Sequence, residues 1–200
     1  MKYVFYKWLQ NYVHRDYCRE KDIIRRAFAA HLAWKRPNYA TALELGCGDG
    51  NMAGIIPPEA YLGIDLAVDR VAAAKNENPQ YRFEVCNVNS PGFRDLLRQF
   101  DFIFCLGLLH HLNDNNCREL LREIETLTPK PATFIAIEPL LPAPYANPPG
   151  FLMAKLDAGK HIRAPEVYRQ MFADRLIQVE YINFWPRWPV QMEAYTLRYV

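Results

Sequence analysis

The sequence is poor in the features that identify several large classes of protein. Its 200 residues include five cysteines, an odd number, and no Cys-x-x-Cys pair, so the ligand spacing of a zinc site is absent. No apolar run approaches the length of a membrane span, and no repeat or low-complexity tract is present. The formal net charge is only +2, which argues against a general polyanion binder. Together these absences predict a cytoplasmic protein in a reducing compartment.

The small net charge hides an uneven distribution along the chain. Residues 1–36 hold nine Lys and Arg against three acidic residues, a charge of +6, which leaves −4 for the rest. A basic segment of this kind can bind phosphates or an anionic membrane surface. The same charges also suit the solvated face of a helix, and the apolar spacing within residues 16–34 predicts a helix there. Both interpretations stay open.

Half of the residues are hydrophobic, enough for one domain with a sizeable core, and their spacing alternates between strand and helix. The strands near 102–106 and 134–137 lack polar alternation, as central strands covered on both faces do. We therefore predict an α/β fold with a doubly wound, mostly parallel, seven-stranded sheet of Rossmann-like type. The predicted strands are 40–45, 60–65, 81–87, 100–106 and 132–138, and the helices are 51–56, 67–77, 93–99 and 114–127.

The pattern changes after Glu138. Residues 139–150 contain five prolines and predict a long irregular loop at the carboxyl end of a strand, where ligands of α/β sheets bind. A helix over 164–173 follows, and then two aromatic-rich extended segments, 176–185 and 191–200, that predict an antiparallel pair at the sheet edge. We expect a single domain, with a helical cap over 1–36, a cofactor-binding core over 40–138, a substrate side over 139–175 and C-terminal strands over 176–200.

The most informative stretch is Leu-Glu-Leu-Gly-Cys-Gly-Asp-Gly at residues 43–50, at the end of the first predicted strand. Glycines at alternate positions let the backbone approach a ligand closely, and Asp65, at the end of the second strand, is placed to hold a ribose. The dinucleotide-binding motif Gly-x-Gly-x-x-Gly requires a third glycine at the position where this chain has Asn51. Glu44 would repel phosphates but suits a cofactor with a positive charge.

These residues resemble the glycine-rich motif of the class I S-adenosylmethionine (SAM)-dependent methyltransferases, acidic-x-Gly-x-Gly-x-Gly. The resemblance extends in order over residues 40–138 and includes Leu109-His110-His111-Leu112 after the fourth strand. It implies SAM as cofactor, with Asp65 on the ribose hydroxyls and Asn87 on the adenine amino group, where the family usually has Asp. The cofactor-binding residues that it implies are Glu44, Gly46, Cys47, Gly48, Gly50, Asp65, Leu66, Asn87, Val88 and Leu106.

His110 and His111 are the candidate catalytic residues, because they follow the fourth strand close to where the methyl group should lie. A histidine near its unperturbed pKa can accept a proton at neutral pH, although only some acceptors need to lose one. The alternative is structural: one histidine caps the next helix or packs under the glycine loop. Two residues of mixed type near the strand ends, Glu138 and His110, do not predict a metal site.

A second cluster precedes the helix at 164–173. Residues 157–163 read Asp-Ala-Gly-Lys-His-Ile-Arg and combine flexible backbone, positive charge and a titratable ring. They resemble segments of small bacterial methyltransferases, some of which act on saccharides or other small metabolites. We predict that His161, Arg163 and Tyr168 bind the substrate at an anion-recognising corner. Solvated charges at a helix N-terminus are the alternative.

The leading hypothesis is a methyltransferase that acts on O, N or C of a small acceptor, with anionic and saccharide-like molecules as the candidate classes. An RNA or protein methyltransferase that uses the basic segment 1–36 is the first alternative, with aromatics there stacking on bases. A non-catalytic SAM-binding protein is the second. The sequence does not specify the acceptor or the oligomeric state.

Overall fold

The structure is a computed structural model that describes residues 39–173, 178–187 and 189–199, together with 25, 26, 28–30 and 32. The chain divides into two units, Met1–Arg36 and Pro37–Val200, so the predicted cap falls in a unit of its own. The described residues of the first unit are helical. The remainder of the helix predicted over 16–34, and the basic residues before it, lie outside the described residues.

The second unit alternates strands and helices. In chain order its elements are β1 (Ala42–Leu45), β2 (Tyr61–Asp65), α1 (Val68–Glu77), β3 (Arg82–Val85), α2 (Pro91–Leu97), β4 (Phe102–Leu106), α3 (Asp114–Leu127), β5 (Ala132–Pro139), α4 (Pro148–Leu156), α5 (Pro165–Ala173), β6 (Gln178–Arg187) and β7 (Val190–Tyr199). Two short 3-10 turns, Pro58–Ala60 and Leu109–His111, lie before β2 and after β4.

Within the described residues the strands form one seven-stranded sheet in the order β3-β2-β1-β4-β5-β7-β6. Strands β1 to β5 pair in parallel, and β7 runs antiparallel to both β5 and β6. The predicted fold class is confirmed, including the antiparallel C-terminal pair. Of that pair only β6 lies at the edge, because β7 is inserted between it and β5.

The central strands β1, β2, β4 and β5 are buried on both faces, which explains why their sequences do not alternate. One face, with Phe134 and Leu197, packs against apolar side chains of α2, α3 and α5. The opposite face is aromatic around Tyr61, whose ring lies 5.7 Å from that of Phe83 and 6.5 Å from that of Phe104. Because β1 to β4 run in parallel, their carboxyl ends meet along a single edge of the sheet.

Two local predictions differ from the structure. Residues 51–56 form turns, not the expected helix, before Pro57-Pro58. The proline-rich loop ends sooner than expected, because Pro148 and Pro149 begin helix α4. Proline is favoured in the first turn of a helix, and Asn147 caps this one by accepting from the N–H of Gly150 at 3.1 Å.

The described cysteines Cys47, Cys86, Cys105 and Cys117 are free thiols. Cys105 is buried, as its strand predicts, and Cys86 is half-buried. No group of three or more His, Cys, Asp or Glu side chains in the described part of the chain could hold a metal ion. Among the helices that the structure describes, none is long and apolar enough to cross a bilayer.

Candidate active site

The glycine loop follows β1 and requires its glycines. Gly46, Gly48 and Gly50 have φ values of 70°, 53° and 75°, the left-handed region that residues with a Cβ rarely adopt. A Cβ on Gly48 would lie 2.3 Å from a guanidinium nitrogen of Arg70, a residue of α1 that pairs with Asp49 at 3.0 Å. The loop can adopt this conformation and pack this closely against Arg70 only because these positions lack side chains.

Asp65 ends β2 and is held in a fixed orientation beside that loop. One carboxylate oxygen accepts from the N–H of Gly48 at 2.8 Å, and the other accepts from the N–H of Ala67 at 2.9 Å. A carboxylate oxygen has two lone pairs, so each keeps one for a hydroxyl group. Leu66, next in the chain, is 66% exposed and offers an apolar surface beside the carboxylate. This arrangement fits a ribose diol.

Glu44 lies in a different environment. It is 2% exposed, and its carboxyl accepts a hydrogen bond from the hydroxyl of Tyr61. Burial raises the pKa of Glu44 to about 8; the hydrogen bond from Tyr61 opposes this rise, and the charge of Asp65 adds to it. Burial also raises the pKa of the Tyr61 hydroxyl, so both groups are largely neutral at pH 7. A contact between Glu44 and a cofactor stays a prediction.

The remaining cofactor candidates lie along the same edge of the sheet. Asn87 follows β3, is exposed, and accepts from the N–H of Asn89 at 2.9 Å. Val88 packs against the core, Leu106 ends β4 half-buried, and the N–H of Cys47 donates to a carbonyl of β2 at 2.9 Å. Because β3, β2, β1 and β4 are neighbours, these positions form a row with the glycine loop. That row has the backbone room and polar acceptors that a nucleoside cofactor needs.

His110 is buried against Glu138, near the end of β5. Its Nδ1 lies 2.8 Å from one carboxylate oxygen of Glu138, and its backbone N–H donates to the same oxygen at 3.2 Å. The other oxygen accepts from the N–H groups of Leu108 and Leu109 at 2.9 and 2.7 Å. Glu138, with no exposed surface, thus holds both the imidazole and the 3-10 turn that carries it.

A second carboxylate approaches the other ring nitrogen of His110. Oδ1 of Asp157 lies 3.6 Å from Nε2, and the same oxygen accepts from the N–H of Gly159 at 2.6 Å. Burial lowers the pKa of His110, but the hydrogen bond and charge of Glu138 and the charge of Asp157 outweigh it, so the pKa is raised overall. For the exposed residue His111, partial burial of its ring and the charge of His110 lower the pKa.

Residues 157–163, which we call the strap, are tied to the 3-10 turn. The N–H of His161 donates to the carbonyl of His110 at 2.9 Å. Gly159 lies so close to the imidazole that a Cβ there would be 1.8 Å from Cδ2 of His110. The strap therefore covers His110 directly, and that contact requires its glycine.

Arg163 anchors the strap from within the protein. Its guanidinium donates to Asp114 at 2.9 Å and to the carbonyls of Leu109 and Leu112 at 2.9 and 2.6 Å. The residue is only 6% exposed. Because its donors are used by the chain itself, these contacts give Arg163 a positioning role.

The three predicted substrate residues therefore differ in their surroundings. Arg163 donates to groups of the chain itself, and Tyr168 has no exposed surface, while an acceptor contact stays a prediction for both residues. His161 is half-buried on the strap, and its contact with the acceptor also stays a prediction.

A cavity of about 260 Å³ lies against the strap. The described residues that border it are two cationic side chains, one carboxylate and several small or apolar groups: Leu141, Ala154, Lys155, Asp157, Gly159, Lys160 and Ile162. Asp157 and Gly159 border the cavity and also contact His110. The strap is therefore shared between this cavity and the buried histidine.

Three residues of this site are not singled out by the sequence as functional. Glu138 carries a signal, because it is a lone acidic residue at the end of an otherwise apolar strand. Asp157 and Gly159 belong to the strap sequence, but nothing local indicates that they meet a histidine from the turn after β4. Their contact depends on the path of the chain through β5 and α4.

Comparisons with known proteins match this chain to methyltransferases. Residues 43–130 match the family model described as a methyltransferase domain. The tRNA (carboxymethyluridine(34)-5-O)-methyltransferase of Saccharomyces cerevisiae is 28% identical over 91 residues, which are 44% of this chain and 32% of the yeast enzyme. The chain thus matches about a third of the length of that curated relative.

Solved structures share the fold over nearly the whole chain. The plantazolicin methyltransferase BpumL, in complex with a pentazolic desmethylPZN analogue and SAH, has a TM-score of 0.71 at 14% identity, covering 97% of this chain and 90% of its own. Magnesium protoporphyrin IX methyltransferase from Synechocystis PCC 6803, with bound SAM, has a TM-score of 0.66 at 15% identity. That match covers 94% of this chain and 84% of the Synechocystis chain. At these identities the likeness shows the fold.

Proposed function

We propose that this chain, a class I SAM-dependent methyltransferase by its fold and its methyltransferase domain, methylates a small acceptor held beside the Glu138–His110 pair. The observation that carries the proposal is the cavity of about 260 Å³, which shares Asp157 and Gly159 with the surroundings of His110. This volume is just below the range of about 300–1,000 Å³ that is usual for ligand pockets, so the cavity has room only for a small acceptor.

On the cofactor side, the chain contributes orientation. The glycine loop brings backbone close to the ligand, and Asp65 is placed to accept hydrogen bonds from two ribose hydroxyls. Asn87 and Val88, after β3, would flank the adenine. SAM supplies a methyl group on a positively charged sulfur, which is the electrophile of the reaction.

On the acceptor side, the chain contributes a charged wall made of the buried Glu138–His110 pair and exposed residues around the cavity. The imidazole of His110 is fixed by Glu138 and lies behind the strap, while Lys155 and Lys160 border the cavity. Holding the reacting atoms in line lowers the barrier, because motional freedom is lost before the reaction begins. The low exposure of the pair also strengthens its charge interactions.

A second candidate acceptor is tRNA. The observation that favours it is the yeast relative, whose name specifies a carboxymethyluridine of tRNA, together with the basic composition of residues 1–36. The match covers about a third of that enzyme. An RNA acceptor would be bound through phosphate contacts, and its affinity would fall as the salt concentration rises.

A transfer assay with methyl-labelled SAM separates these candidates. The purified chain is incubated with small carboxylic acids, alcohols, amines, saccharide precursors and total RNA, and release of the demethylated cofactor is measured alongside label transfer. Transfer to a small molecule supports the proposal, whereas transfer only to RNA, weakened by salt, replaces it with the second candidate. SAM binding by calorimetry without transfer to any acceptor would identify a non-catalytic SAM-binding protein and overturn both.

A further inference from the structure

The buried histidine of the site is flanked by carboxylates on both ring nitrogens. Glu138 lies 2.8 Å from Nδ1 of His110, and Asp157 lies 3.6 Å from Nε2. In a neutral imidazole one nitrogen would direct a lone pair at a carboxylate, which is unfavourable. The imidazolium has an N–H on each nitrogen and suits both neighbours. The geometry therefore favours a His110 that already carries its proton, which is the wrong state for a general base.

The two carboxylates are not equivalent. Glu138 has no exposed surface and is fixed by three backbone N–H groups, whereas the side chain of Asp157 is 42% exposed and borders the cavity. The distance from Asp157 to Nε2 of His110 is also longer than a normal hydrogen bond. Nε2 of His110 thus faces a loosely held carboxylate whose residue borders the cavity.

The cavity adds positive charge around that oxygen. Lys155 comes from the last turn of α4, and Lys160 comes from the strap, so the two cations reach the cavity from different elements. The described residues contribute one carboxylate to this space, that of Asp157, and the imidazole of His110 lies behind Asp157, 3.6 Å from its Oδ1. An incoming anion would therefore gain attraction from groups that the chain has only partly neutralised.

We propose that the group methylated by this enzyme is a carboxylate of a small acceptor, and that its oxygens replace Asp157 beside Nε2 of His110, between Lys155 and Lys160. This inference rests on the proposed function and names its substrate class. Asp157 then acts as an internal substitute for the acceptor's carboxylate before the acceptor binds, and His110 donates a hydrogen bond that orients the anion.

The reaction that this arrangement supports needs no base. One carboxylate oxygen attacks the methyl carbon, the new O–CH3 bond forms as the S–CH3 bond breaks, and the bonding electron pair stays on sulfur. The negative acceptor and the positive sulfonium become a neutral methyl ester and a neutral thioether. No proton leaves the acceptor, so a protonated His110 is compatible with every step.

The first test compares acceptors that differ only in the reacting group. The enzyme is given labelled SAM and either benzoate, benzyl alcohol or benzylamine, and likewise the alkyl acids, alcohols and amines of matched length. The products are then treated with mild alkali, which hydrolyses a methyl ester to volatile methanol but leaves methyl ethers and methylamines intact. We expect label on the acids alone, released as methanol.

The outcomes of this comparison separate the inference from the proposed function. Label on an alcohol or amine, or label that resists alkali, would overturn the carboxylate acceptor while leaving a small-molecule methyltransferase standing. Absence of transfer to any small molecule would remove the proposed function as well.

The second test uses variants of the cavity with the labelled acid as substrate. Lys155→Ala combined with Lys160→Ala should raise KM for the acid about tenfold or more, through lost charge-assisted contacts, and change kcat little. Asp157→Asn keeps an oxygen for the N–H of Gly159 and should lower KM for the acid, because the competing carboxylate is gone. Lys75→Ala, on the exposed side of α1, is the matched control and should leave both constants unchanged.

Binding gives a readout that does not depend on turnover. Benzoate should shift the imidazole NMR signals of His110 in the wild-type protein, and more strongly at equal concentration in Asp157→Asn. An Asp157→Asn variant with a higher KM and weaker benzoate binding would show that Asp157 helps to hold the acceptor, and would refute the substitution of one carboxylate for the other.

Discussion

Two carboxyl groups near the glycine loop differ because their surroundings differ. Asp65 is half-buried and accepts hydrogen bonds from two backbone N–H groups. Glu44 is almost fully buried and receives the hydroxyl of Tyr61, and burial raises its pKa to about 8. Sequence position alone suggests a cofactor role for both, and only the side-chain environments distinguish them.

Replacing Asp65 by Ala should weaken SAM binding by about 1–3 kcal/mol, because two charge-assisted hydrogen bonds to the ribose are lost. Calorimetric titration of SAM measures this as a rise in Kd. Asp69→Asn, exposed in the first turn of α1, is the control and should bind SAM like the wild type. An Asp65→Ala protein with unchanged Kd would remove Asp65 from the ribose site.

Replacing Glu44 by Gln should stabilise the protein at high pH. The folded-state pKa, about 8, is above the ordinary value of 4.5, so the stability linked to Glu44 is fully present below pH 4.5 and is lost as pH rises through 8. Gln does not ionise and can still accept from Tyr61. We expect Glu44→Gln to match the wild type near pH 4.5 and to exceed it by about 1–3 kcal/mol once pH is above 8.

Urea unfolding at several pH values checks the Glu44 prediction, with Glu59→Gln at an exposed position as the control. SAM titration of the same variant tests its predicted cofactor role. A stabilised variant with weaker SAM binding would show that the buried carboxyl is retained for the cofactor. Equal stability at every pH would contradict the raised pKa.

At the scale of elements, the strap and the 3-10 turn act as a unit. Hydrogen bonds from His161 and Arg163 fix the strap to the carbonyls of the turn, and Glu138 fixes the turn to β5. His110 is therefore held by three separate parts of the chain. Such support from outside the reacting groups is what keeps a catalytic geometry constant.

Gly159→Ala should disrupt this unit. The added Cβ would lie 1.8 Å from Cδ2 of a buried ring, so either the strap or His110 must move. Overpacking of this kind costs about 1–3 kcal/mol of stability, and we expect methyl transfer to fall roughly tenfold or more while SAM binding stays unchanged.

The control for this change is Gly92→Ala in α2, where a Cβ would meet nothing within 4 Å. Transfer rates and the NMR signals of His110 check the prediction together. A Gly159→Ala variant with normal transfer and an unmoved imidazole signal would show that the strap does not position His110.

Elements can be predicted from the sequence where the local signal agrees with the tertiary environment. Helix α3 is predicted with its observed bounds, Asp114–Leu127, because a capping Asn and a clear apolar face mark it. Helix α4 is not, because its prolines indicate a break. Pro148 and Pro149 occupy the first turn, where proline is tolerated.

At the scale of the whole molecule, the sheet places two buried glutamates on neighbouring strands, and each glutamate has its own hydrogen-bond partners. Glu138 on β5 is directly opposite Glu193 on β7, and both are fully buried. Like charges in that relation destabilise a sheet. Each has its own partner, His110 for Glu138 and Arg169 with Tyr195 for Glu193, so neither carboxylate is left without compensation.

Cofactor binding should stabilise the whole fold by linkage. SAM at roughly a hundred times its Kd should raise the free energy of unfolding by about 2.7 kcal/mol, because it binds the native state and not the unfolded chain. Urea denaturation with and without SAM measures this, and NAD at the same concentration should have no effect. Equal stabilisation by NAD would contradict the assignment of the glycine loop to SAM.

The sequence by itself predicted a SAM-type cofactor site and most of the order of strands and helices, because the glycine loop and the apolar periodicity are local patterns. The tertiary structure decided what surrounds His110. Glu138, Asp157 and Gly159 reach it from distant parts of the chain, and burial and charge at that meeting point favour a protonated imidazole. The same packing uses the donors of Arg163 within the protein, while its contact with a substrate stays a prediction.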